Sequence, residues 1–155
     1  MNQYVRISIQ KENFNVNSEI ELLRTDQMTT GSIAVFLGLV RDLSENKDLK
    51  FIELEHYPGM AERALKEICL EASRRWEVNG ITVIHRFGRL KPGENIVLVL
   101  VSSKHRAEAY CTNEFIMDFL KSGVPFWKKE TDNFGSSWVR SRSSDIKAVS
   151  RWNES

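Results

Sequence analysis

The stretch ITVIHRFGRLKPGENIVLVLVS, residues 81–102, decides the fold. Its two apolar runs, 81–87 (ITVIHRF) and 95–102 (NIVLVLVS), are rich in β-branched residues and too short for helices, so they read as strands. Pro92-Gly93 marks the turn that joins them. Upstream, Ala61, Leu65, Ile68, Ala72 and Trp76 recur at helical spacing. They predict a helix over about 59–77 that buries one face, with Pro58 in its first turn and Asn79-Gly80 at its end. Downstream, a second helix covers about 105–122, with Tyr110, Phe115 and Phe119 among its apolar positions and Gly123 and Pro125 as its stop. Beyond the helices, residues 51–57 (FIELEHY) alternate as a strand, and 126–130 (FWKKE) pairs with 136–140 (SSWVR) about the Asp132–Gly135 turn. From residue 51 the order is therefore strand, helix, strand, strand, helix, strand, the split β-α-β pattern of an α+β sandwich.

The segment before residue 51 adds further elements. Val5, Ile7 and Ile9 alternate as a short strand, and 18–24 (SEIELLR) makes a brief helix capped by Asn17 or Ser18. Residues 31–40 (GSIAVFLGLV) read as a buried strand in which Gly38 implies a bulge or a close backbone approach. The polar run 42–50 (DLSENKDLK) reads as a mobile loop. No linker or repeat interrupts the chain, so residues 1–155 are expected to form one domain.

Composition narrows the function. The chain has 22 Lys and Arg against 21 Asp and Glu, a net charge of +1, which argues against a dedicated nucleic-acid binder. No apolar run approaches a membrane span, and no basic-then-apolar leader pattern opens the sequence. Cys69 and Cys111 show no metal-ligand spacing, which suits a reducing cytoplasm. Both cysteines fall inside helices, where a small buried hydrophobe is the usual role. The glycines form no G-x-G-x-x-G turn, and the Gly88/Gly93 spacing is followed by Glu94-Asn95 instead of the Lys-Ser or Lys-Thr of a phosphate loop. His56, His85 and His105 lack paired ligand spacing, so a zinc site is not expected. His85 alternates with Val83 and Phe87 and reads as a satisfied structural histidine.

What remains is a set of cations at element ends. Arg41 ends the apolar strand, His105-Arg106 open the second helix, Lys121 closes it, and Lys128-Lys129 lie on the next strand, followed by Arg140 and Arg142. A helix amino terminus favours anions, so His105-Arg106 there could hold a phosphate. Capping alone would also place Lys121 at a helix carboxyl end, and strand lysines often blunt an exposed edge. The segment VPFWKKE, 124–130, stiffens the backbone with two aromatics and a proline, which could set lysines of neighbouring elements into one half-buried pocket. A lysine near other cations, or partly desolvated, becomes a usable nucleophile or proton donor.

These residues carry a signature. FLGLVRD at 36–42, LEHYPGM at 54–60, VIHRFGRLKPGE at 83–94, SSKHRAEAY at 102–110 and FIMDFLKSGVPFWKKE at 115–130 together resemble the large, catalytic subunit of molybdopterin synthase, the MoaE family. The match runs from about residue 4 to Trp152. The resemblance implies an α/β hammerhead fold with an additional antiparallel sheet. It implies a sulfurtransferase that converts cyclic pyranopterin monophosphate to molybdopterin in molybdenum cofactor biosynthesis. Sulfur would arrive as a thiocarboxylate on the carboxy-terminal Gly-Gly of a small ubiquitin-like subunit, with two large subunits forming a homodimer inside a heterotetramer. No metal or other cofactor is implied for this chain, since the partner brings the sulfur and molybdenum is inserted later.

Carried over motif by motif, the substrate-contacting residues are Leu39, Val40 and Arg41, and the His105-Arg106 pair, which in the family reaches the site of the dimer partner. Lys121 and Lys128 are implied as catalytic and as substrate-binding, with Lys129 and Glu130 beside them. Lys129 stands where relatives often carry arginine, which keeps the charge and loses the bidentate fork. Arg142 matches a basic position near the family's carboxyl end. The rival reading is a non-catalytic module that docks a ubiquitin-like partner through its aromatic, basic surface. A converging cationic pocket separates the two, because docking alone does not need one.

Overall fold

A computed structural model of the chain describes residues 3–24, 28–44, 47–139 and 143–154. Its first sheet has the order β1 (Tyr4–Gln10), β5 (Gly80–Arg86), β7 (Asn95–Ser103), β2 (Ser32–Leu39). β1 runs parallel to β5, and the remaining pairs are antiparallel. The side chains of β5 and β7 alternate between two apolar faces. Ile81, Val83, Val97, Val99 and Val101 meet helices α2 (Met60–Arg75) and α3 (Arg106–Ser122), while Ile84, Leu98 and Leu100 meet Leu23 of α1 (Val16–Arg24). A sheet covered on both faces needs apolar residues at nearly every position, which explains the unbroken character of 96–101.

Helix α2 presents Ala61, Leu65, Cys69 and Ala72, all fully buried, at the spacing of one helical stripe. It opens at Met60 behind Gly59, where Glu62 accepts the Gly59 N–H at 2.6 Å, so Pro58 lies just before the helix and not within its first turn. Burial pushes the Cys69 thiol up to about 12, as expected of a cysteine serving as a core hydrophobe. Helix α3 is tied down by Asn113, whose amide donates to Ala34 O at 3.2 Å and Val99 O at 2.9 Å.

The second sheet runs β3 (Leu43–Ser44), β4 (Lys47–His56), β8 (Phe126–Asp132), β9 (Gly135–Val139), with β6 (Gly88–Leu90) pairing the far end of β4. The strands before and after the helices, β4 and β8, thus pair with each other in this additional sheet, while β1 and β2 complete the first. Leu49, Ile52, Leu54, Leu90 and Val40 form its small core. One expectation is overturned here. The polar run 42–50 is not simply a loop, because residues 43–44 pair antiparallel with 47–48 and β4 extends back to Lys47. Leu49 supplies the reason, since it is 8% exposed and faces Asp132 of β8, and pairing with a neighbour outweighs weak local propensity.

Gly38 behaves as its place in β2 requires. The register with β7 shifts between Gly38 and Leu39, and a Cβ at Gly38 would lie 2.7 Å from Val97 Cγ1. The Asp132 turn is held by its own carboxylate, which accepts from Phe134 N–H at 2.7 Å and Gly135 N–H at 3.1 Å. After β9 come α4 (Ser143–Ser150) and a 3-10 turn (Arg151–Glu154), elements the sequence reading did not assign. Trp152 anchors them: its ring packs edge-on against Trp76 and Phe115, and its Nε1–H donates to Asp118 at 2.7 Å.

Candidate active site

Where the two sheets meet, they enclose a cavity of about 660 Å³. Three cations from three separate elements reach it. Arg41 follows the end of β2, Lys121 sits in the last turn of α3, and Lys128 points inward from β8. Glu130, two residues along the same face of β8, places Oε1 3.7 Å from Lys128 Nζ. Asp145 of α4 adds a second carboxylate at the rim. The floor is apolar, built from Ile52 and Leu54 of β4, Met117 and Leu120 of α3, and Phe126 of β8. Charges beside such a floor act on one another, and on a bound anion, more strongly than in water. Leu39 and Val40 line the cavity too, Val40 buried and Leu39 half-exposed.

The strand pairing explains why Lys128 and Glu130 enter while Lys129 does not. Lys128 lies opposite Leu54 and Glu130 opposite Ile52, on the cavity face of the sheet. Lys129 lies opposite Glu53 on the outer face, with its ammonium 5.8 Å from the Trp138 ring centroid. Arg89 occupies that outer face as well, paired to Glu53 at 2.9 Å and stacked 4.0 Å over Phe51. His105 and Arg106 lie at the other end of α3, and its 17 residues separate them from Lys121 by roughly 24 Å. Within one chain, therefore, the amino terminus of α3 does not share this cavity. Arg142 lies outside the described residues.

The sequence reading treated His85 as purely structural, yet His85 lines the cavity. Its Nδ1 lies 2.8 Å from Arg86 O and its ring stacks on Phe126 at 3.9 Å. Burial, together with the nearby charges of Lys121 and His56, lowers its pKa to about 4 against the opposing pull of the Arg86 carbonyl. The signal available in the sequence was a histidine on the otherwise apolar helix-facing side of β5. Asp145 was missed because its helix was missed.

Comparison with known proteins finds relatives over nearly the whole chain. The family model described as MoaE protein matches residues 9–123. The molybdopterin synthase catalytic subunit of Haemophilus influenzae is 47% identical over 148 residues, covering 96% of this chain and 98% of the relative. Among solved structures, the MoaE protein of Burkholderia ambifaria superimposes with a TM-score of 0.82 at 45% identity, covering 96% of this chain and 98% of that one. Molybdopterin synthase from Staphylococcus aureus gives 0.80 at 33% identity, covering 90% and 98%. A complex of subunits 1 and 2 of the molybdopterin-converting factor from Helicobacter pylori gives 0.70 at 18% identity, covering 90% and 92%, a likeness of fold.

Proposed function

The chain belongs to the MoaE family of molybdopterin synthase catalytic subunits, and from that premise we propose that its cavity is where a cyclic pyranopterin monophosphate receives the two sulfurs of the dithiolene. One observation carries the reading: Arg41, Lys121 and Lys128, from three different elements, converge on a single apolar-floored cavity. A phosphorylated pterin matches it in chemistry. Its phosphate is an anion for Arg41, and a charge-assisted bond of that kind contributes about 1.5–3 kcal/mol. Leu39 and Val40 offer apolar contact to the rest of the molecule. Lys121 and Lys128 grip the incoming thiocarboxylate and polarise its carbonyl as sulfur leaves. Glu130 holds Lys128 in place from within the same strand face.

The sulfur donor is a small ubiquitin-like subunit whose carboxy-terminal Gly-Gly thiocarboxylate threads into the cavity. Glycines offer little to bury, so affinity must come from the partner's body docking beside the mouth. Exposed Trp127 and Trp138 on β8 and β9 supply apolar area of the right kind for that docking. His105 and Arg106 act at the cavity of a second copy, since their own Lys121 lies at the opposite helix end. The assembly is a homodimer with one small subunit at each end, working in the cytoplasm. Lys129, beside Trp138, contributes positive charge along the partner's path.

The test is conversion of pyranopterin monophosphate to molybdopterin by the purified chain supplied with thiocarboxylated small subunit. Product with the complete mixture, and none without this chain, is the expected result. A stable complex with the small subunit that makes no product would leave only a docking module.

A further inference from the structure

Strand β2 is a sheet edge that lacks the usual guards. Among the described residues its strand partner is β7 alone, and Ser32–Leu39 reads SIAVFLGL, with no charge and no proline. Its apolar side chains are left uncovered as well. Leu98 and Leu100 of β7 are fully buried, yet Leu37 and Val35, directly opposite them on the same face, are 38% and 48% exposed. Helix α1 therefore covers β5 and β7 and leaves the outer part of β2 open. On the other face Phe36 is exposed, and so is Tyr110 of α3, one turn before the Asn113 that donates to Ala34 of β2. Strand and helix thus present one apolar strip, with outward N–H and C=O groups along its length.

We infer that β2 pairs antiparallel with β2 of a second copy, about a two-fold axis normal to the sheet near Val35 and Phe36. Two four-stranded sheets then join into one of eight strands. An antiparallel strand is its own complement under a two-fold, so one pairing uses both open edges and the assembly closes. Each copy of a stable dimer contributes about 800 Å². A strand about 27 Å long, flanked by Tyr110 and the exposed residues Lys104, His105 and Arg106, is a surface of that order.

The same two-fold completes the cavity. Gly31 N–H donates to Ser103 O at 3.0 Å, so β2 begins beside the turn into α3 that carries His105 and Arg106. It ends at Leu39, two residues before Arg41 in the cavity wall. Antiparallel pairing sets the beginning of one β2 beside the end of the other, with the strands about 4.8 Å apart. The two α3 helices then run antiparallel, and His105 and Arg106 of the partner subunit come to the helix end that bears Lys121. A strand from any other protein on this edge would leave that pair roughly 24 Å from Lys121. The catalytic consequence rests on the reading of the cavity as the site of sulfur transfer, and the pairing itself does not.

Sedimentation of the purified chain at micromolar concentration should give a dimer. Hydrogen exchange should slow in the β2 amides as the chain is concentrated, while those of β1, the opposite edge, stay unchanged. A monomer throughout, or β2 exchange indifferent to concentration, overturns the inference without any variant. Protection of β2 that appears only on adding the small subunit gives the edge to that partner and overturns it too. Val35→Glu and Val35→Lys change a side chain already exposed in the single chain and should fold, as circular dichroism reports. Each should raise the dimer dissociation constant at least ~100-fold, whichever the sign of the charge. Folded variants that dimerise like the natural chain refute the pairing. In the complete enzyme mixture both variants should lose at least ~10-fold in kcat while still binding the small subunit, with Arg41, Lys121 and Lys128 untouched. Full activity from a monomer would show that the cavity needs no second copy, against the inference. Absence of product from the natural chain would sink the functional reading alone, since sedimentation and exchange would still decide the pairing.

Discussion

The imidazole of His85 lies face to face with the ring of Phe126, centroids 3.9 Å apart and planes tilted by 17°. The pair joins the end of β5, in the first sheet, to the first residue of β8, in the second. Lys128 follows Phe126 by two residues on the same strand, so this stack fixes where that lysine enters the cavity.

Acid should weaken the fold through His85. Its pKa falls to about 4 in the folded chain and is ~6.5 in an unfolded one. Between those values the unfolded chain binds more protons, so stability is fully present above ~6.5 and is lost as pH falls toward 4, by ~3 kcal/mol in all. Urea midpoints at about pH 7.5 and about pH 4.5 should show a smaller acid loss in His85→Phe than in the natural protein. An equal loss in both would disprove the assignment.

Lys121→Ala should abolish dithiolene formation and leave the fold intact. The side chain is exposed at the end of α3, and substitutions at such positions usually change stability by only ~0.5 kcal/mol. A folded variant that forms product near the natural rate would remove Lys121 from the chemistry.

Arg41→Ala should weaken binding of the phosphorylated pterin by roughly tenfold or more, the cost of one charge-assisted contact. Calorimetric titration measures it directly. An unchanged dissociation constant would place the phosphate elsewhere in the cavity.

In the proposed homodimer any contribution of Arg106 comes in trans, given its separation from Lys121 along α3. Arg106→Ala and Lys121→Ala chains, each inactive alone, should regain about a quarter of natural activity when unfolded and refolded together, because half the dimers are mixed and each has one intact site. No recovery, with mixed dimers confirmed by native mass measurement, would refute a contribution in trans.

Trp152→Ala should cost about 1–3 kcal/mol, since it removes the ring packed against Trp76 and Phe115 and the donor to Asp118. Chemical denaturation reads the loss. A change below about 0.5 kcal/mol would mean the carboxyl-terminal turn is not anchored there.

Local patterning carried much of this protein. The stripe Ala61, Leu65, Ala72 defined α2, and Gly123 and Pro125 ended α3, because helix periodicity and backbone punctuation are encoded within a few residues. The conversion of 42–50 into hairpin and strand was not legible, because only the partner strand β8 makes Leu49 a buried residue. Likewise α4 depends on an anchor contributed by Asp118 and Trp76, some distance back along the chain.

The site divides the same way. Residue type marked Arg41, His105, Arg106, Lys121, Lys128, Lys129, Arg140 and Arg142 as candidates, since cations near element ends are visible in one dimension, and the family resemblance alone gave Lys121 and Lys128 their catalytic role. Which of them share a cavity is a property of strand register and helix length. Alternation along β8 turns Lys128 and Glu130 inward and Lys129 outward, and the length of α3 carries His105 and Arg106 away from Lys121. The place of His85 in the cavity wall was equally beyond the sequence. Burial, a stacked ring and nearby charge surround that histidine, and they come from β5, β8, β4 and α3.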